Sequence, residues 1–87
     1  ARAGRIASGE FQTETAVKSG TAYLVVVAED ASENTKKLFQ DKCSFYKVPV
    51  IALGTKEELG HSIGKEYRAS LAILDAGFAE AILKKIK

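Results

Sequence analysis

Residues 22–28 read Ala-Tyr-Leu-Val-Val-Val-Ala, an apolar run without a polar residue at alternate positions. A strand with one wet face alternates apolar and polar side chains, so a run without alternation predicts a strand buried on both faces. A sheet built on such a strand needs cover above and below, which restricts the chain to architectures with helices on both sides. Two further runs have the same character: "VPVIAL" at 48–53 and "ASLAIL" at 69–74. Each predicts another buried strand, with Pro49 near a strand start, where its missing N–H does least harm.

Helical patterns fill the gaps. In "SGEFQTETAVKSG" (8–20), Ser8 is a candidate cap, Glu10 suits the positive end of the helix dipole and Gly20 can close the helix. Residues 31–46 place Leu38, Phe39, Cys43 and Tyr46 at roughly helical spacing. Thr55 followed by Glu58 predicts a capping box and a short helix over 55–64. The segment 75–87 carries Phe78, Ile82 and Ile86 on one stripe, with Lys84, Lys85 and Lys87 at the negative end of the dipole. Arg5-Ile6-Ala7 reads as a short extended piece. Strands alternating with helices predict an α/β/α sandwich, and 87 residues suffice for a single domain. Three layers made from so short a chain leave little surface for a deep catalytic pocket.

Composition narrows the chemistry. The single cysteine, Cys43, excludes an internal disulfide framework and a multi-cysteine metal site, and it points to a reducing, cytoplasmic setting. No apolar run approaches the roughly 20 residues that span a bilayer, so no membrane partner is expected. No secretory leader pattern is visible, and because the sequence opens at Ala1 rather than Met the natural N-terminus is expected upstream. "GTKEELG" (54–60) lacks the GK[ST] of a phosphate loop, and "GRIASG" (4–9) lacks the strand–helix order of a dinucleotide fingerprint. No cofactor and no small-molecule substrate are therefore expected. A formal net charge of +2 leans toward a polyanionic partner.

Few side chains suggest catalysis. Glu29-Asp30 closes the first buried run, and acids at strand ends are where α/β enzymes often keep their chemistry. Against that stands a structural role, with Asp30 or Ser32 accepting N–H bonds from the first turn of the next helix, worth about 1 kcal/mol. Cys43 lies mid-helix on the apolar stripe and His61 in a different helix, so each reads better as a structural residue than as a nucleophile–base pair. "VPVIALGTK" (48–56) resembles the switch segment of receiver domains, but the chain is too short for that fold. The basic residues form no block. Arg2 and Arg5 precede the first helix, Lys65 and Arg68 precede the last buried run, and the predicted order allows both groups to share one end of the sheet.

The motif order carries a resemblance that covers essentially the whole chain. "LVVVAEDAS", "VPVIALGTKEELG" and the glycines Gly9 and Gly20, eleven residues apart, resemble the L-seven-Ae/L-thirty-e ribosomal protein family in order and spacing. "RAGRIASGE" and "DAGFA" look most like its small bacterial branch. The resemblance implies a four-stranded mixed sheet, with the piece near Ile6 as the fourth strand. It also implies no enzymatic activity and binding to structured RNA, typically kink-turns with tandem G·A pairs and possible ribosomal RNA targets. It places the RNA site at the helix opened by Gly9 and at the loop before the last strand. Within the helix the family contacts backbone at the position held by Glu10. It reads a guanine with Asn or Lys where this chain has Phe11, uses Glu or Gln where Gln12 stands, and usually has Lys where Thr15 stands. In the loop, Tyr67 would stack on a flipped base, and Lys65 and Arg68 would hold phosphates, with Arg5 nearby. Phe11 also motivates an alternative, a protein-interaction or ribosome-assembly module on the same fold with weakened RNA binding.

Overall fold

The computed structural model describes residues 6–62, 64 and 67–85, so Arg2, Arg5, Lys65, Ile86 and Lys87 lie outside the described residues. Eight elements follow in order: β1 (Ile6–Ser8), α1 (Glu10–Ser19), β2 (Leu24–Val27), α2 (Glu33–Tyr46), β3 (Val50–Ala52), α3 (Lys56–Ser62), β4 (Ser70–Ile73) and α4 (Ala76–Lys85). The sheet order is β1-β4-β2-β3. β2 runs parallel to β3, while β4 is antiparallel to both β1 and β2, so the sheet is mixed.

The order explains the sequence pattern. β2 and β4 are the central strands and every residue in them is buried, which is why "LVVV" and "SLAI" show no alternation. On one face the Ser70 hydroxyl donates to Thr13 Oγ1 of α1 at 3.5 Å, while Phe39 and Cys43 of α2 enter the core fully buried. On the other face Leu59 of α3 and Phe78 and Ile82 of α4 line an apolar groove over Val26, Leu71 and Ile73. Helices thus cover both faces, as the unalternating run requires.

The expectation of a buried strand at 48–53 is corrected. Among the described residues β3 is an edge strand paired only with β2; Val50 and Ile51 are half-buried and Ala52 is exposed. Its composition matches the central strands, but on one flank no described strand pairs with it. Pro49 stands just before β3 and its carbonyl accepts from the Val25 N–H at 2.9 Å, so the absent proline N–H weakens no ladder bond. Tyr46 also departs from its expected place on the apolar stripe. The last turn of α2 carries it out of the core, where its ring meets Phe45 edge-on at 4.9 Å.

One helix start departs from expectation, and at a second the structure decides between the two expected caps, Asp30 and Ser32. Ser8 does not cap α1: it ends β1, and the N-cap position belongs to Gly9. Asp30 does not cap the helix that follows it. Ser32 is the N-cap of α2 and accepts from the Thr35 N–H at 3.2 Å. Asp30 instead reaches across to α3, where its Oδ1 accepts from the Lys56 N–H at 2.8 Å. The Thr55–Glu58 capping box forms as expected, with reciprocal bonds of 2.8 and 3.1 Å. A helix start leaves its first N–H groups without intrahelical partners. In α3 those of Thr55, Lys56 and Glu58 are all met by side chains.

Candidate nucleic-acid interface

The start of α1 is built on a glycine. Gly9 adopts φ 91° and ψ 159°, a region that side-chain-bearing residues essentially avoid. Its N–H donates to Ser70 of β4 at 3.0 Å and its carbonyl accepts from Thr13 at 2.9 Å. The chain therefore turns sharply from β1 into α1 while both ends of the turn stay bonded. A Cβ at Gly9 would meet nothing within 4 Å, so the corner presents bare, open backbone. Among the described residues no side chain caps α1. The first-turn N–H groups at Glu10, Phe11 and Gln12 thus point outward with the positive end of the dipole, a setting suited to an anion.

A buried polar pair sets the roll of α1. Thr13 and Ser70 are both fully buried and joined by their hydroxyls, and Ala16 and Val17 complete the inward face. Glu10, Phe11, Gln12 and Thr15 are consequently exposed. Phe11 is 77% exposed although it sits near the beginning of a packed helix.

The segment before β4 is fastened to the same corner. The Arg68 Nε donates to Ser8 Oγ at 3.3 Å, its Nη1 donates to the Tyr67 carbonyl at 2.6 Å, and its backbone N–H donates to the Lys56 carbonyl at 3.0 Å. Tyr67 is left 61% exposed. The structure thus brings Gly9, Phe11, Gln12, Thr15, Tyr67 and Arg68 to one end of the sheet, where the sequence allowed the basic groups to meet. Arg5 and Lys65 belong to that expected set but lie outside the described residues.

The other candidates stand apart from this corner. Cys43 is fully buried, and burial pushes its thiol up to about 11, so it stays protonated and inert in the core. His61 is exposed on α3. Among the described residues no group of three or more His, Cys, Asp and Glu could hold a metal ion, and no helix is long and apolar enough to cross a membrane.

The model of the ribosomal protein L7Ae/L30e/S12e/Gadd45 family matches residues 1–83. The chain belongs to this family. It is 43% identical over 82 residues to the RNA-binding protein YlxQ of Bacillus subtilis (strain 168), covering 94% of this chain and 82% of that protein. It is 44% identical over 79 residues to the RNA-binding protein YlxQ of Enterococcus faecium, covering 91% of this chain and 76% of that protein. A solved structure described as a protein with unknown function from Bacillus halodurans C superposes with a TM-score of 0.92 at 39% identity, covering 98% of this chain and 86% of that one.

Within this member of the L7Ae/L30e/S12e/Gadd45 family, the Ala-Glu-Asp corner connects to the glycine-opened helix through bonds that sequence reasoning missed. Asp30 holds the Lys56 N–H, the Lys56 carbonyl holds Arg68, and Arg68 reaches Ser8, the residue before Gly9. Ser8, a cap candidate in the sequence, instead ends β1 and accepts from Arg68. The Thr13–Ser70 pair had a visible signal, since Ser70 is a polar residue inside an otherwise apolar run. The Arg68–Ser8 bond joins residues 60 apart and had none.

Proposed function

We propose that the chain binds structured RNA, of the kink-turn type or a similarly bent form, through the start of α1 and the Tyr67–Arg68 segment. The observation that carries this reading is the open Gly9 corner with uncapped first-turn N–H groups beside Arg68, in a chain of this family. Outward N–H groups and the dipole suit a phosphate, and Gln12 is exposed where it can reach a base edge. Lys65 and Arg5 join the proposed contact set, with Glu10 and Thr15 as its less favourable members. RNA recognition favours distorted, shape-defined sites over regular A-form duplex, which fits one compact corner better than a long groove. A cytoplasmic, ribosome-associated role, with ribosomal RNA among the possible targets, is part of the same proposal. The RNA-binding names of the two YlxQ relatives support the RNA-binding part of this proposal.

Affinity for a kink-turn RNA and for a regular duplex of equal length, measured at two salt concentrations, tests the reading. A preference for the kinked RNA is expected at both, and equal affinity throughout refutes the kink-turn part. Replacing Lys65 and Arg68 together is expected to flatten the salt dependence by at most about two units of slope.

A second reading is favoured by Phe11, whose ring lies open at a position where the family usually places a polar base reader. On that reading the same surface meets a protein during ribosome assembly and RNA binding is weak. Phe11→Asn separates the two, because a drifted RNA site would gain affinity from the restored polar group.

A further inference from the structure

We propose that the free edge of β3 is a second binding surface, which takes an extended acidic peptide of a partner protein as an added strand. This goes beyond the RNA-binding reading and is independent of it.

The open edge follows from the way β3 bonds to β2. The Val25 N–H donates to the Pro49 carbonyl at 2.9 Å, and the Leu53 N–H donates to the Val27 carbonyl at 3.0 Å. Backbone groups turn to alternate sides along a strand. Pro49, Ile51 and Leu53 therefore face β2, while Val50 and Ala52 turn their N–H and C=O groups away from it. No described strand lies on that side. Sheet edges are usually blunted by charged side chains, prolines or bulges. Here residues 48–53 read Val-Pro-Val-Ile-Ala-Leu without a charge, and Pro49 stands ahead of the open part. Two donors and two acceptors at strand spacing are thus left to solvent.

A crevice beside the edge gives an added strand something to read. It measures about 90 Å³ and is lined by Val27, Lys36, Gln40 and the three residues of β3. Pockets for drug-sized ligands start at roughly 300 Å³, so this one suits a single side chain. Among the described lining residues Lys36 alone is charged. Its partner Glu33 lies 4.0 Å away and is 93% exposed, so the pair is weak and readily exchanged.

These features select the occupant. The outward carbonyls of Val50 and Ala52 repel a phosphate but accept from a peptide N–H, which argues against nucleic acid. A second copy of the chain, paired edge to edge, would bring two Lys36 ammonium groups to one seam. An acidic peptide brings Lys36 a counter-charge instead. Backbone pairing then supplies affinity, and the crevice with Lys36 selects an apolar side chain flanked by acids. In the sheet, β4 and β2 separate β3 from β1, whose end leads into the Gly9 corner, so peptide and RNA can be held at once.

The test is a titration of the full chain with an acetylated, amidated Glu-Val-Ile-Val-Glu peptide, followed by amide NMR. The Val50 and Ala52 amides are expected to exchange fast in the free chain, and to shift and gain protection with peptide. Ala52→Pro removes an N–H that β2 does not use, so its melting temperature should stay near that of the wild type while peptide affinity falls about 10-fold or more. Lys36→Ala should cost up to about 5-fold, and a Lys-flanked peptide should bind more weakly than the acidic one. N-methylation of the peptide leaves the protein untouched. Methylating the central Ile or the two Val should give opposite results, one abolishing binding and the other sparing it, because only alternate N–H groups face β3. Equal effects at all positions would mean adhesion through side chains and would refute strand addition. Absence of any shift at Val50 and Ala52 at millimolar peptide refutes it as well. Equal binding of the Lys-flanked peptide refutes the acidic partner. Self-association of the wild type that Ala52→Pro abolishes would assign the edge to a second copy, and shifts at these amides with oligouridine but not with peptide would assign it to RNA; either result overturns the proposal.

Discussion

Replacing Asp30 with Ala removes the acceptor that meets the Lys56 N–H at 2.8 Å and leaves that donor at the head of α3 without a protein partner. The Thr55–Glu58 box survives, so the first turn is weakened rather than lost. Loss of a side-chain acceptor at a helix start costs about 1 kcal/mol, within a range of about 0.5–2. Asp30 also places a negative charge at the positive end of α3, which adds a few tenths of a kcal/mol at an exposed site. A loss of about 1 kcal/mol lowers the melting temperature of a domain of this size by roughly 4–8 °C. Asp30→Asn keeps an acceptor and gives up only the charge, so it should lose less than half as much. Ser32→Ala provides the contrast, since it removes the cap on Thr35 at a similar cost but in α2. Thermal unfolding gives the totals, and amide exchange by NMR locates them: Lys56 should exchange faster in Asp30→Ala, and Thr35 in Ser32→Ala. Faster exchange at Thr35 in Asp30→Ala, or an unchanged melting temperature with unchanged exchange at Lys56, would refute the idea that Asp30 clamps α3.

The remaining expectations concern the Gly9 turn and the core. Gly9→Ala forces a side chain into φ 91°, ψ 159°, and since its Cβ meets nothing within 4 Å the penalty is backbone strain alone, about 1–3 kcal/mol, measurable by urea unfolding. Cys43 should resist alkylation in the folded protein near neutral pH and react once the chain is unfolded. Burial raises its thiol from 9.0 to about 11, so the unfolded chain ionises first. The stability this group contributes is therefore present below pH about 9 and is lost as pH climbs toward 11; Cys43→Ala should lack that component of the decline.

The parts of the fold legible in the sequence are those governed by local pattern. The unalternating β2 and β4 runs announced central strands, and Thr55 with Glu58 announced the start of α3, because strand burial and capping depend on neighbours within a few residues. β3 was misjudged because "VIA" has the same composition whether or not a strand lies on its far side. At the site, Gly9 was legible as a helix opener and Tyr67 and Arg68 as its companions through family resemblance. The tie between them was not, since which of several donors Arg68 uses toward Ser8 depends on the antiparallel register that sets Ser8 opposite Leu71.

Glu29 and Asp30 show how a conspicuous motif can act at a distance from where it draws attention. In the sequence they present a choice between catalysis and a cap on the next helix. In the structure the next helix has its own cap in Ser32, and the Glu29 N–H donates to the Gly54 carbonyl at 2.7 Å while Asp30 binds the Lys56 N–H. The corner therefore fastens the loop after β2 to the loop before α3. Gly54, at φ 71°, allows that close approach, and a Cβ there would stand 3.1 Å from Glu58 Oε1, the acceptor of the capping box. From Lys56 the bonds continue to Arg68 and Ser8. If that chain of bonds transmits position, Asp30→Ala should weaken RNA binding by less than Arg68→Ala does, because it loosens the anchor of Arg68 without removing the guanidinium. An Asp30→Ala protein that binds RNA as weakly as Arg68→Ala would mean that Asp30 contacts RNA directly.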